Sequence, residues 1–250
     1  MPQARIYIIR HGETHENRAG IMQGHLDTSL NDDGIAQALV AATAMEKVPL
    51  TEAFSSDLKR AADTAKMILE LHPGVQLCKK KEFRERNLGQ LQGKLLSEKQ
   101  AFLASLPGGV DPTAEQPDAF IDRTLKAWDE YIVPVVSKPV PTTALVNGVQ
   151  DKEFTATETQ PKRHEVLVVS HGGFIGTLVK NLLLTKRITP VKELTSWSWK
   201  CFNVSITTIE LDENGKGRLL KYADISHLGA ASGKVAQIVA DVEAGDAGNA

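Results

Sequence analysis

The chain has little of what marks several common protein classes. Of its 250 residues only two are cysteine, Cys78 and Cys201, far apart and in no Cys-x-x-Cys pair. That argues against a disulfide framework and a thiolate zinc site, and a reducing compartment fits. Neither charge is in excess: 29 Lys and Arg stand against 31 Asp and Glu, a net −2. Bulk attraction to nucleic acid or to an anionic membrane needs a basic surplus. Neither partner is therefore expected, although a local basic pocket stays open. Long apolar runs are missing too. Only four consecutive apolar residues, Ile6 to Ile9, precede Arg10, too few for a secretory core or a membrane span. The expected place is the cytoplasm, with the nucleus also open. Asn203-Val204-Ser205 fits the glycosylation triplet, but no signal peptide accompanies it and it carries no weight. What remains is ordinary for a globular protein, 42% hydrophobic and 24% charged, enough for one large domain or two small ones.

Ile6-Tyr7-Ile8-Ile9 and Val166-Leu167-Val168-Val169 are unbroken apolar, β-branched runs. Strands buried on both faces look like this, so both belong near the centre of a sheet. Each is followed by a small-residue turn and helical patterning, which indicates an α/β fold. One helix is expected from about Asp32 to Lys47, capped by Asn31, with Ile35, Ala38, Leu39, Ala42 and Met45 inward. Another is expected from about Asp57 to Leu71, stopped by His72-Pro73-Gly74. Phe174 to Leu183 and Asp118 to Ile132 carry two more, and 204–211 with 218–222 about Asn214-Gly215 read as a late hairpin. Residues 137–163, rich in Pro, Thr, Lys, Glu and Gln, are expected to be an inserted surface loop. From Gly229 a loose tail of Gly, Ala and Asp is expected.

Both central strands end in His-Gly: Arg10-His11-Gly12-Glu13-Thr14 and Ser170-His171-Gly172-Gly173. In open α/β sheets ligands bind at the carboxyl ends of strands, so both imidazoles would face one crevice. One strand-end histidine is as readily a turn residue as a ligand; two in matching contexts point to function. Arg10 and Arg60 offer planar forks suited to phosphoryl oxygens. A metal is the rival, but guanidinium groups beside a cation would repel it. His11-Gly12-Glu13-Thr14-His15 also lacks the His-Glu-x-x-His order of a zinc helix. Gly229 to Val235 falls short of a nucleotide-binding loop, with three residues rather than four between its glycines and no Ser or Thr after Lys234.

These residues resemble the histidine phosphatases, the phosphoglycerate mutase-like superfamily. The likeness runs from Arg5 to Leu228 apart from the insertion. It rests on Arg10 to Thr14 with Asn17; Gln23-Gly24, Asp27, Leu30 and Gly34; Ser55, Leu58, Arg60-Ala61 and Thr64-Ala65; Glu85, Gly89 and Gly93; and Ser170 to Gly173. The resemblance implies a three-layer α/β/α sandwich with a mostly parallel sheet, and one catalytic domain over 1–228. It implies His11 as nucleophile, with Arg10, Asn17, Arg60 and His171 around the phosphoryl oxygens. Glu85 would be proton donor and then base, with Glu13 and Glu82 as rivals nearby in sequence. In this mechanism a neutral imidazole attacks and a protonated one clamps. Gln23, Gly24 and Gly172 would border the substrate. No metal and no cofactor is implied. His15, His25, His72, His164 and His227 are expected at the surface or as caps, with His25 at the pocket mouth. Trp197 and Trp199 are expected to pack.

Phosphatases and mutases of the family share these residues. No arginine lies between Arg86 and Arg123 to hold a second anionic group, and the Asp-Pro-Pro-Pro segment of the glycolytic mutases is absent. Gln23-Gly24-x2-Asp27-x2-Leu30 is similar to the branch of the fructose-2,6-bisphosphatases and their regulator-type relatives. The expected function is hydrolysis of small phosphate esters, such as sugar phosphates, by a monomer or homodimer. A mutase, or an inactive phospho-ligand binder, is the alternative.

Overall fold

The computed structural model describes residues 2–140, 163–191 and 199–230. In chain order the strands are β1 (Ala4–Arg10), β2 (Glu52–Ser56), β3 (Leu77–Lys80), β4 (His164–Ser170), β5 (Ile188–Pro190), β6 (Ile206–Leu211) and β7 (Gly217–Asp224). The α-helices are α1 (His15–Ala19), α2 (Asp32–Met45), α3 (Lys59–Leu69), α4 (Lys99–Ser105), α5 (Pro117–Ala127), α6 (Gly172–Leu184) and α7 (Ser226–Ala230). All seven strands form one sheet in the order β3-β2-β4-β1-β6-β7-β5. Four of its six pairings are parallel, and β6 runs antiparallel to both β1 and β7.

The two apolar runs are the sheet's centre, as their composition predicts. β1 and β4 lie side by side in parallel, with Arg10 opposite Ser170. Every residue of β4 is buried. Successive side chains alternate between faces. Ile6, Ile8, Val166 and Val168 join Phe174, Leu178, Trp128 and Ile132 on one side. Ile9, Leu167 and Val169 join Ala41, Met45, Ala61, Ile68 and Leu228 on the other. Helices α5 and α6 thus cover one face and α2, α3 and α7 the other, giving the expected three layers.

The inward face of α2 differs from the one its spacing suggests. Asn31 caps the helix through the Gly34 amide at 2.7 Å, but Ile35 and Leu39 are 43% and 50% exposed. Ala38, Ala42 and Met45 face inward as expected, and Gly34, Gln37 and Ala41 join them in place of Ile35 and Leu39. The loop after β1 lies directly on this helix: Gln37 Oε1 accepts the Glu13 amide at 2.9 Å, and a Cβ on Gly34 would overlap the Glu13 carbonyl. Small residues let the loop after β1 and the helix touch, and that contact outweighs the apolar stripe.

The expected helix over Asp118 to Ile132 is α5 followed by a π-helical turn over Trp128–Ile132 and a 3₁₀ stretch over Val133–Ser137. Pro134 has no amide to continue the α ladder. β6 and β7 form the predicted hairpin. Lys138 and His164, at the two ends of the expected insertion, meet through the Lys138 carbonyl and His164 Nε2 at 3.1 Å; residues 141–162 lie outside the described residues. The expected tail begins inside α7, which runs to Ala230, and 231–250 likewise lie outside them, as does Trp197. Trp199 packs against Tyr222, ring centroids 5.5 Å apart. His72 and His164 are buried rather than at the surface, because His72 closes α3 against the core and His164 opens a central strand.

Candidate active site

Because β1 and β4 are neighbours in register, the residues after their ends are neighbours too. The His11 amide extends the ladder by donating to the Ser170 carbonyl at 3.0 Å, and the His11 and His171 rings lie with centroids 5.1 Å apart. His11 Nδ1 is 2.7 Å from the Gly12 carbonyl. A carbonyl can only accept, so Nδ1 carries the proton and Nε2 keeps its lone pair. Arg60 Nε donates to that Nε2 at 3.3 Å. Burial first, then the charges of Arg60 and Arg10, hold the imidazole well below its usual pKa. His11 is therefore a neutral, oriented base or nucleophile.

Two guanidinium groups are sunk into this site: Arg10 is 0% and Arg60 1% exposed. Arg10 Nη1 donates to the Cys201 carbonyl at 2.8 Å. Arg60 sits in the first turn of α3 and is gripped by the 24–28 loop, donating to the carbonyls of Gly24 (2.9 Å) and Leu26 (2.7 Å). Gly24 takes a positive φ of 51° to present that carbonyl. Gln23 Oε1 accepts from the hydroxyls of Thr14 (3.1 Å) and Thr28 (2.5 Å). Gln23 and Gly24 thus brace Arg60 and the loop after His11. Buried cations at a strand-end crevice suit an anion.

Asn17 forms a capping box with Thr14 at the start of α1. Its Oδ1 accepts from the Thr14 amide, the Thr14 hydroxyl and Asn203 Nδ2, so what it offers a ligand is its amide N–H. Asn203 is a site residue the sequence did not reveal. Its Nδ2 also donates to the His11 carbonyl at 3.0 Å. It is held there by Val204, whose φ of +50° is strained for a β-branched residue, and whose amide donates to the Arg10 carbonyl at 3.1 Å.

His171 is fully buried, and neither ring nitrogen has a hydrogen-bond partner. Burial, then Arg60, His11 and Arg10, push its pKa well down. Burial, and then the two neighbouring cations, favour the neutral ring, whereas the protonated clamp expected from sequence concerns the phosphate-bound site. A bound phosphate dianion would reverse that field. Two unsatisfied nitrogens in a buried ring mark a place for a ligand.

Of the three candidate carboxylates, Glu85 is the one at the crevice. Its Oε2 accepts the Gly173 amide and its Oε1 the Arg86 amide, both at 2.8 Å, so it rests on the N-terminus of α6 two residues past His171. A Cβ on Gly173 would overlap Oε1 and come within 2.9 Å of Cδ, which explains the second glycine of Ser170-His171-Gly172-Gly173. Gly172, the first residue of α6, is buried beside it. Ser170 Oγ ties the preceding turn by donating to the Phe83 carbonyl at 2.7 Å. Arg123 adds donations to the carbonyls of Glu82, Arg84 and Glu85 at 2.9–3.0 Å while paired with Glu115. His25 Nε2, at the expected pocket mouth, lies 2.9 Å from the Glu85 carbonyl. Glu13 is consumed structurally by Arg18 and Asn31. Glu82 shares only its backbone.

Among the described residues no three His, Cys, Asp or Glu side chains converge as metal ligands, and no helix is long and apolar enough to cross a membrane. Cys78 and Cys201 are not joined in a disulfide.

The model of the histidine phosphatase superfamily (branch 1) matches residues 6–134, a span that holds every site residue named from sequence except His171 and Gly172. A probable phosphatase of Schizosaccharomyces pombe is 33% identical over 90% of this chain and 95% of its own length. The fructose-2,6-bisphosphatase TIGAR of Bos taurus is 28% identical over 87% of this chain and 92% of its own, in line with the branch suggested by the 23–30 motif. Among solved structures, phosphoglycerate mutase from Bacillus anthracis str. Sterne shares the fold, with a TM-score of 0.69 and 23% identity over 90% of this chain and 95% of that one. On both the motif set and these likenesses, the chain belongs to the histidine phosphatase superfamily.

Proposed function

We propose that the protein is a metal-independent phosphomonoesterase of small phosphorylated metabolites that works through a phosphohistidine on His11. The observation that carries this reading is the fixed tautomer of His11: Nδ1 is committed to the Gly12 carbonyl, and the Nε2 lone pair faces Arg60. Nε2 attacks phosphorus as the ester P–O bond breaks. Glu85, protonated, gives its proton to the leaving oxygen. The Nδ1–H bond to Gly12 stabilises the positive charge that builds on the ring. Arg10, Arg60, His171 and the Asn17 amide hold the phosphoryl oxygens through the in-line transfer. Water then attacks phosphorus, giving its proton to the Glu85 carboxylate. The N–P bond breaks, its electron pair returns to Nε2, and phosphate leaves. Two guanidinium charges already match a phosphate dianion, so the mechanism assigns no task to a metal.

Hydrolysis rather than transfer to a second hydroxyl is supported by the phosphatase names of the Schizosaccharomyces pombe and Bos taurus relatives and by the lack of arginine between Arg86 and Arg123. Two cysteines that form no disulfide support a reducing compartment such as the cytoplasm, and the protein would act as a monomer or homodimer. The test is 4-nitrophenyl phosphate hydrolysis with rapid acid or base quench. Activity is expected to persist in EDTA, to vanish in His11→Ala, and to pass through a phosphoenzyme that survives base but not acid. Full activity without His11, or loss in EDTA, refutes the mechanism. Isomerisation of 3-phosphoglycerate faster than phosphate release would make it a mutase.

A further inference from the structure

A cavity of about 590 Å³ opens from the Glu85 and Gly173 end of the site. Its walls include Met22, Leu91, Leu103 of α4, Phe120 and Ile121 of α5, and Leu184 of α6. Several polar groups at its edge are engaged within the protein. Asp111 accepts from the Gln90 and Thr113 amides and the Thr113 hydroxyl. Arg86 Nε donates to the Glu115 carbonyl, Gln116 to the Ala114 carbonyl, and Asn181 to the Thr177 carbonyl. Lys99 and Lys180 have interactions of their own. Most of the wall the cavity offers a ligand is carbon surface, in a volume within the range that engulfs a drug-sized molecule.

Glu85 fixes which part of a substrate enters. If Glu85 protonates the leaving oxygen, the group attached to that oxygen extends past Glu85, and this cavity begins there. A sugar in it would trade water for a mostly apolar wall, which is costly for each buried hydroxyl left without a partner. An alkyl or aryl group would gain the full benefit of burial. Resting on the phosphomonoesterase reading, we propose that the preferred substrates are phosphate monoesters of bulky apolar alcohols, the alkyl or aryl leaving group filling the cavity between α4, α5 and α6.

The test uses straight-chain alcohols, whose leaving-group basicity stays nearly constant while length grows. Binding of ethyl-, butyl-, hexyl- and octylphosphonate to the full chain is measured by calorimetry, and kcat/KM for the matching alkyl phosphates alongside glucose 6-phosphate. Affinity and kcat/KM should rise by about fourfold per methylene until the cavity is filled, and hexyl phosphate should exceed glucose 6-phosphate. Leu103→Asn and Leu184→Asn alter cavity walls at partly or largely exposed positions that play no part in the chemistry. They should flatten both slopes and leave ethyl phosphate hydrolysis unchanged. A flat phosphonate series, or a sugar phosphate preferred over hexyl phosphate, overturns the proposal. Chain-length-dependent phosphonate binding without hydrolysis would instead sink the phosphatase reading and leave the apolar subsite standing.

Discussion

Replacing Gly173 by alanine isolates the role of Glu85 without replacing any titratable residue. The new Cβ would overlap Glu85 Oε1 and stand 2.9 Å from Cδ and 3.0 Å from Oε2. The carboxyl group is the mobile partner, so it moves and its 2.8 Å bond to the residue 173 amide breaks. Losing a hydrogen bond to a charged group costs about 1.5–3 kcal/mol, and alanine's better helix propensity returns up to about 1 kcal/mol. With that return the net loss of about 0.5–2 kcal/mol leaves a protein of ordinary stability folded. Catalysis should suffer more, since a positioned proton donor contributes roughly 10²–10⁴-fold. With an alkyl phosphate, whose leaving oxygen needs the proton, kcat should fall at least about a hundredfold. With 4-nitrophenyl phosphate the phenolate leaves unaided, so the first turnover should stay fast. Water activation then becomes limiting, and stopped flow should show a burst of one product equivalent per site. Gly176→Ala in the same helix is the control: its Cβ would meet only the Tyr222 hydroxyl at 3.5 Å and the Trp199 carbonyl at 4.0 Å, so kinetics should not change. If Gly173→Ala hydrolyses alkyl phosphates within threefold of the parent rate, Glu85 is not the proton shuttle.

Two further outcomes follow from the same geometry. His11 and His171 have folded pKa values well below the usual histidine value, so between those values and about 6.5 the unfolded chain binds more protons. Their contribution to stability is complete above pH 6.5 and is lost as pH falls, at up to about 2.7 kcal/mol per pH unit for two sites. Urea unfolding at pH 7 and pH 5.5 checks this, vanadate should lessen the slope by favouring protonated His171, and equal stability at both values would contradict it. Arg123→Ala removes the donor to three carbonyls of the turn that carries Glu85. It should lower kcat on alkyl phosphates by tenfold or more, with little change in KM and a smaller change on 4-nitrophenyl phosphate; equal losses on both substrates would mean general destabilisation.

The parts legible in the sequence are those with local causes. Unbroken β-branched runs locate β1 and β4, and the His-Gly pairs after them locate the crevice, because strand ends and the residues following them are sequence-adjacent. The helix α2 is legible but its inward face only in part, since Gly34 and Gln37 face in for the sake of a loop that folds back onto them. β2, β3 and β5 are short, and in β5 a proline ends the run, so no periodicity announces them. Asn203 reaches His11 across 192 residues, and in its own neighbourhood it resembles only a glycosylation triplet. Arg123 is equally silent, lying 38 residues from the Glu85 carbonyl it holds. Long-range polar contacts of this kind leave no local pattern.

The electrostatics of the crevice combine two tasks in the same side chains. In the proposed mechanism Arg10 and Arg60 attract the phosphoryl group, and burial together with their charge keeps His11 and His171 from protonating beforehand. A nucleophile in that field stays neutral without a carboxylate partner, which would weaken anion binding. Arg60 also occupies the lone pair that must attack, but its bond to His11 Nε2 is 3.3 Å long, beyond the usual 2.7–3.2 Å range for N–H donors. A phosphoryl oxygen offers the same N–H a shorter, charge-assisted bond of about twice the strength. Substrate binding thus takes the donor away from Nε2 and releases the lone pair as phosphorus arrives. With its other nitrogens anchored on Gly24 and Leu26, Arg60 makes this exchange without leaving its place. Lysine there would keep the charge but could not hold both carbonyls and the phosphoryl oxygen in one plane.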